Sequence, residues 1–286
     1  LDGVLLAGMG AMLAEVSPRL TLDLPMSERV HPASNVAVLI AHTFGYRSGY
    51  RAIDNHWEHN IVTIEDVVQG VGGQVGQIGT LVIVGFHETK MLPGRGGAVL
   101  TDDPALWEAL KAINLAEPCP APMVEPPRYA AYRQSVEMRR AELLLPFNPD
   151  PENVERIRLG LRTLPERVQR HNAKAHWLRE HLLDLPLHLP EVLPGDAVWR
   201  YTFAAPDRRS AGQIMRGLQR AGLRGSDNYA ALSTLFQERP NPIAAGYHGR
   251  LINLFVDDQT TTADLQRMVE VIHEQFKSRQ TAKFPL

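Results

Sequence analysis

Only one cysteine, Cys119, stands in the 286 residues, so an internal disulfide is excluded and a redox pair or thiolate metal site lacks its second sulfur. The cytoplasm is therefore the expected compartment. Charge of one sign is equally scarce: 30 Lys plus Arg face 32 Asp plus Glu, a net charge of −2. No global field draws the chain to DNA or to an anionic bilayer, so neither nucleic acid nor membrane is an expected partner. Long hydrophobic runs are missing as well. The stretch from Gly3 to Ala14, broken by Gly8 and Gly10, falls short of the roughly 20 residues that a bilayer crossing needs. The opening Leu1-Asp2-Gly3 has neither the basic region of a signal peptide nor a methionine, and the start is expected to be cut from something longer. What is present is 44% apolar and 22% charged residues, the mixture of a soluble globular chain long enough for one large domain or two ordinary ones.

The first half alternates β-branched runs with glycine turns and helical stretches, the pattern of an α/β sheet. Asn35 to Ala41 is a continuous apolar run, expected as a strand buried on both faces. Ile61 to Ile64, Leu81 to Val84 and Gly97 to Thr101 are the next strands, with a helix over Arg51 to Asn60. Charged residues collect where the strands end, in Glu65-Asp66 and in His87-Glu88-Thr89-Lys90. In open α/β sheets the ligand crevice lies outside those carboxyl ends. A helix follows from Asp103 to about Leu115, then a proline-rich connection from Glu117 to Pro151 with a helical piece at Tyr129 to Leu144. Glu152 to Leu183 carries Val154, Ile157, Leu161, Leu164 and Val168 at helical spacing, with a break at Pro165. A smaller α/β unit closes the chain: strands Val198 to Ala204 and Leu251 to Val256, helices Ala211 to Ala221 and Thr262 to Phe276, the last opened by a capping-type Thr-Thr-Ala-Asp.

Lys90 follows Asp66 by 24 residues across the glycine-rich stretch Gly70 to Gly79. A lysine at a sheet mouth can be partly desolvated, which frees its amine to form a Schiff base. A nearby acid that keeps a ring nitrogen protonated would complete a pyridoxal phosphate (PLP) electron sink. On spacing alone a surface lysine and a helix-capping aspartate are the favoured reading of the pair.

Four ordered segments add to this: His42-Thr43-Phe44-Gly45, Ile64-Glu65-Asp66-Val67-Val68-Gln69, Phe86-His87-Glu88-Thr89-Lys90 and Gly94-Arg95-Gly96-Gly97-Ala98-Val99-Leu100-Thr101-Asp102. Together they resemble the DegT/StrS family of sugar aminotransferases. A weaker likeness continues through Ala7 to Val16 and through Arg250 to Asp257. The resemblance implies an α/β chain of the PLP-dependent transferase fold type I, aspartate-aminotransferase-like, with an N-terminally incomplete large domain over 1–150 and a small C-terminal domain with its connecting helix over 151–286. It implies PLP as cofactor and a homodimer. It also implies transfer of an amino group from glutamate or glutamine to a keto sugar carried on a nucleotide. Residue by residue, Lys90 would hold PLP as a Schiff base and shuttle the proton, Asp66 would pair with the pyridinium nitrogen, and Gln69 would contact the phenolic oxygen.

Other positions enter with two readings. Gly85 stands where the family has a phosphate-binding serine and offers only a backbone N–H. Asn148, in Leu145-Pro146-Phe147-Asn148, either contacts the cofactor phosphate of a partner subunit or starts a turn. His42 ends a strand, either touching the cofactor region or serving as a hydrogen-bonded structural histidine. Arg95 either meets a substrate phosphate or braces its loop. Asp227-Asn228-Tyr229 lies where the family has His-Tyr-Pro, and no role is transferred to it. Nothing matches the family's Ser-Gly-Thr phosphate turn. A shortened, catalytically impaired paralogue acting as an interaction or regulatory protein is therefore the alternative. No metal site is expected: His56 and His59 lack a third ligand, and His171, His176 and His181 do not share a helical face.

Overall fold

The computed structural model describes residues 12–23, 37–48, 62–112, 151–227, 229, 231–236 and 241–281. A short antiparallel hairpin, β1 (Glu15–Val16) and β2 (Leu22–Asp23), precedes a four-stranded sheet of β3 (Ala37–Ala41), β4 (Val62–Asp66), β5 (Leu81–Gly85) and β6 (Gly97–Leu100), in that order. The first three strands of the sheet are parallel and β6 returns antiparallel to β5. Parallel pairing brings the ends of β3, β4 and β5 to one edge, so His42, Asp66 and the loop from Phe86 to Lys90 leave the sheet on the same side. β3 was expected to be buried on both faces. It alternates instead, with Val38 and Ile40 inside and Leu39 42% exposed.

After α1 (Pro104–Ala112), the chain forms α2 (Pro151–Arg162) and α3 (Leu164–Glu180), separated at Thr163, two residues before the proline that was expected to break the helix and that sits in the first turn of α3. The apolar stripe misplaces the buried face of α2: Val154 and Leu161 are exposed, while Asn153 and Gly160 are buried. The reason is contact with the loop before β6. A Cβ on Gly160 would stand 2.7 Å from Pro93 Cδ, and Asn153 accepts from the Arg95 amide at 2.8 Å and donates to the Arg95 carbonyl at 3.2 Å. Arg95 is thus braced through its backbone.

A second, three-stranded antiparallel sheet has the order β7-β9-β8, from β7 (Arg200–Ala204), β8 (Gly225–Ser226) and β9 (Leu251–Phe255). Between its strands run α4 (Arg208–Arg220), α5 (Leu232–Phe236) and α6 (Pro242–Tyr247), and α7 (Thr262–Thr281) closes the chain. Asp207 caps α4 by accepting from the Ser210 amide at 2.6 Å. Thr261 and Asp264 form the expected reciprocal box at the start of α7, at 2.8 and 3.1 Å. Ala211, Ile214, Met215 and Leu218 repeat at helical spacing along α4 and pack, with Leu265, Met268 and Ile272 of α7, on Tyr201, Phe203, Ile252 and Leu254 of the sheet. Truncating one such core side chain to alanine costs about 2–5 kcal/mol. Among the described residues no helix is long and apolar enough to cross a membrane.

The two halves interlock. Phe44 and Tyr46, from the turn after β3, belong to the core of the second sheet, whereas Ala197 and Trp199, just before β7, belong to the core beneath β4 and β5. α3 serves both, with Leu164 and Val168 against the first core and Ala175 and Leu178 in the second.

Candidate functional site

The turn at Thr43–Gly45 sets the site. Phe44 and Gly45 both take left-handed backbone angles (φ 62° and 90°), and a Cβ on Gly45 would fall 2.0 Å from the Ala197 carbonyl oxygen. Only glycine permits that approach, and it lets the Ala197 amide donate to the Gly45 carbonyl at 3.0 Å and the Trp199 amide to the Phe44 carbonyl at 2.9 Å. Trp199, laid against the turn, donates from its indole nitrogen to the Thr89 carbonyl. On the other side of Lys90, Met91 is fully buried and its carbonyl accepts from Arg167 at 2.6 Å. The backbone on both sides of Lys90 is therefore clamped, and its ammonium rests 3.6 Å from the centre of the Trp199 ring.

No carboxylate lies within ion-pair distance of Lys90 among the described residues. Burial, with the nearby positive charge of Arg200, lowers its pKa to about 8 against a weaker opposing pull from Asp66. Near neutral pH this lysine holds far more free amine than an exposed one, which is the condition for attack on a carbonyl. Asp66, the last residue of β4, uses Oδ1 to accept from the Val68 amide at 3.0 Å. Its other oxygen has no hydrogen bond among the described residues.

Gln69 accepts from the Phe44 amide at 2.7 Å and also hydrogen-bonds Tyr229. Tyr229 stands on a left-handed backbone (φ 87°), edge-on to Phe44, and its hydroxyl is felt by Arg200. Burial raises the Tyr229 pKa, partly offset by Arg200 and Gln69. Lys90 and Gln69 are thus linked through Trp199, Arg200 and Tyr229, three residues that the sequence did not assign. One signal was available, an arginine inside the otherwise apolar and aromatic run Val198 to Phe203.

The remaining candidates stand elsewhere. His42 is buried, its Nε2 3.0 Å from Glu65 Oε1, while its Nδ1 accepts from the Ser48 amide at 3.2 Å. Accepting at Nδ1 assigns the proton to Nε2, which donates to Glu65. Burial alone would raise the Glu65 pKa, but His42 and the amides of Ile78, Gly76 and Gly79 outweigh it and hold the carboxyl at about 2. This cluster ties the glycine-rich loop to β4 and to the end of β3. Gly85 ends β5, and a Cβ there would meet Val68 Cγ1 at 2.8 Å. Asn148, together with Cys119, His56 and His59, lies outside the described residues. Among the described residues no group of histidine, cysteine and acidic side chains could hold a metal ion.

Residues 4–117 match the model of the DegT/DnrJ/EryC1/StrS aminotransferase family. The erythromycin biosynthesis sensory transduction protein EryC1 of Saccharopolyspora erythraea is 27% identical over 237 residues, 77% of this chain, which spans 59% of that relative's length. A putative sugar aminotransferase of Streptococcus pneumoniae, in its apo form, superposes with a TM-score of 0.76 at 12% identity, over 98% of this chain and 77% of its own. A sugar aminotransferase of Micromonospora echinospora gives 0.68 at 21% identity, over 95% and 76%. An aminotransferase of Brucella abortus gives 0.70 at 18% identity, over 94% and 74%. The fold is the mixed α/β architecture of fold-type I PLP-dependent aminotransferases, and over residues 4–117 the chain is similar to the DegT/DnrJ/EryC1/StrS aminotransferase family.

Proposed function

We propose that the chain is a PLP-dependent aminotransferase that moves an amino group from glutamate or glutamine onto a keto sugar, with the sugar carried on a nucleotide. The observation that carries this reading is Lys90: a clamped, partly desolvated amine without a carboxylate partner among the described residues, at the carboxyl edge of a parallel sheet, with Asp66 near it. These donors fit PLP at two of its groups. Lys90 Nζ suits the aldehyde, and the uncommitted oxygen of Asp66 suits the ring nitrogen. The residues assigned by resemblance keep their roles in the proposal: Gln69 toward the phenolic oxygen, the Gly85 amide toward the phosphate, and Asn148 toward a partner subunit in a homodimer. Residues 1–150 would carry the cofactor part and 151–286 the smaller part. For His42 the proposed role is support, since both ring nitrogens engage protein groups.

When bound, PLP supplies an electron sink next to the carbon that loses its proton. Asp66 keeps the ring nitrogen protonated and so sustains that sink. Lys90 Nζ would engage the aldehyde and, as a free amine, would be the base that accepts and returns the proton at the reacting carbon. Trp199, 3.6 Å from Lys90 Nζ, covers one side of the amine and would hold it in place. In the second half of a ping-pong cycle the same nitrogen moves the proton in the opposite direction.

Visible absorbance of the purified chain with PLP tests the reading. A band that survives desalting in the parent, is bleached by glutamate and is absent in Lys90→Ala supports it; no retained band in the parent overturns it. Gly85 favours a second reading, a catalytically impaired paralogue acting through contacts with other proteins. Val68 fills the space that a side chain at this position would need, so a phosphate-binding hydroxyl does not fit there.

A further inference from the structure

Trp199 carries two cations. Lys90 Nζ lies 3.6 Å from the centre of its ring, and the Arg200 guanidinium carbon lies 4.0 Å from it. Register sets Arg200 opposite Phe255 on β9, whose ring centre is also 4.0 Å from the guanidinium carbon. Phe255, Arg200, Trp199 and Lys90 thus form one run of alternating rings and cations. Arg200 is buried, yet its one hydrogen bond to a described residue is from Nη1 to Ser226 Oγ at 3.1 Å, and its Nε has no partner. Asp257, whose charge it feels, is held bidentate by Arg224. Burying a cation without a counter-ion lowers stability, and the two aromatic rings offset only part of that loss. Packing alone would be served as well by an apolar side chain of similar length.

The two cations are no further apart than their two distances to the indole laid end to end. Each weakens the attraction that the ring exerts on the other. Arginine keeps its proton at every pH at which the protein is folded, whereas a lysine gives its proton up when its surroundings disfavour the charge. Lys90 is therefore the one that yields. The remaining charged groups around it leave that balance in place. Asp66, at the end of β4, pulls weakly the other way. On the loop of Lys90 itself, Glu88 is taken by Arg156 of α2 and His87 bonds Thr89. Arg167 of α3 is shared between the Met91 carbonyl and Asp258, and Tyr229 feels Arg200. An amine that has lost its charge also loses its attraction to the ring and is free to approach a carbonyl carbon.

We propose that Arg200 is a positioning residue for Lys90: its fixed charge on the shared indole weakens the hold of Trp199 on the ammonium and so favours the free amine. This rests on reading Lys90 as the amine that engages PLP. Arg200 then needs no ligand of its own, because it acts through Trp199 and through its field. The direction of the Lys90 shift agrees, with Arg200 second only to burial among its causes.

Competitive labelling of the full chain with trace acetic anhydride, before PLP is added, tests the assignment across a pH series, with peptide mass mapping to read Lys90. Half-titration of Lys90 is expected at about pH 8 in the parent. In Arg200→Met, which keeps the length and removes the charge, it should rise by about half a pH unit or more. Arg200→Lys, which restores a charge, should regain part of that difference. Thermal melts check folding, and Arg200→Gln takes the place of the methionine variant if that one does not fold. The same midpoint in the parent and in the uncharged variant overturns the proposal. A rise as large in Arg200→Lys as in Arg200→Met also overturns it, because that pattern marks packing rather than charge. A parent midpoint near the ordinary value of about 10 overturns it as well. A midpoint that rises in Arg200→Met while the parent retains no PLP band leaves the Arg200 assignment standing and strikes the Lys90 reading instead.

Discussion

Glu65 and Asp66 are neighbours on one strand and have opposite fates. Glu65 points into the protein, fully covered, and collects the His42 ring and three backbone amides. Asp66 points to the strand-end edge and spends one oxygen on the Val68 amide. The same division separates His42, both of whose ring nitrogens engage protein groups, from Lys90 and Arg200, whose charges meet no carboxylate at ion-pair distance among the described residues. A polar group saturated by its own chain holds the fold together. A polar group kept ordered but unsaturated is held for something else.

The sharpest way to break this contrast is to exchange the two acids for neutral groups. Glu65→Ala should cost about 3–5 kcal/mol, because it strips a buried histidine and three amides of their acceptor, and denaturant unfolding reads that loss directly. Asp66→Asn should change stability by less than about 1 kcal/mol while lowering PLP retention. A large stability loss at Asp66, or none at Glu65, would erase the distinction. Acid titration sharpens the same point. The folded-state pKa of Glu65, about 2, lies below its ordinary 4.5, so its contribution is complete above pH 4.5 and is lost as pH falls toward 2. The loss is about 3 kcal/mol, and Glu65→Gln should show no such window in a pH series of melting curves.

A smaller effect is expected at the end of β5. Gly85→Ser places its Cβ 2.8 Å from Val68 Cγ1 and should cost about 1–3 kcal/mol by overpacking. Adding Val68→Ala should recover part of that stability and supply a hydroxyl at this position, with tighter PLP retention as the readout. Smallest in free energy is the pH profile of Lys90. With its pKa lowered to about 8, the rate of reaction with an aldehyde should climb about tenfold per unit up to pH 8 and then level. An exposed lysine would keep climbing to about pH 10.

Much of the site's first half was legible because buried strands announce themselves as apolar runs and their ends as charges. The strand ending at Asp66, the loop bearing Lys90 and the cap at Thr261 and Asp264 are all local patterns of this kind. The face of α2 was not legible, because Asn153 and Gly160 are buried for what they do against the loop at Pro93 and Arg95. Nor were Trp199, Arg200 and Tyr229. Trp199 reaches Thr89 across 110 residues, and that contact exists because two left-handed residues at Phe44 and Gly45 let the chain before β7 dock on the turn after β3. His42 was left between two roles by the sequence, and its partners at each ring nitrogen supply the structural one.

The central claim is that the ordered, unsaturated amine of Lys90 is the group that engages PLP. Borohydride trapping of the chain after incubation with PLP at pH 8, followed by peptide mass mapping, tests it most directly. The account predicts a pyridoxyl label concentrated on Lys90, with Lys111 and Lys174 unlabelled. A label spread over the surface lysines, or none at Lys90, would contradict it.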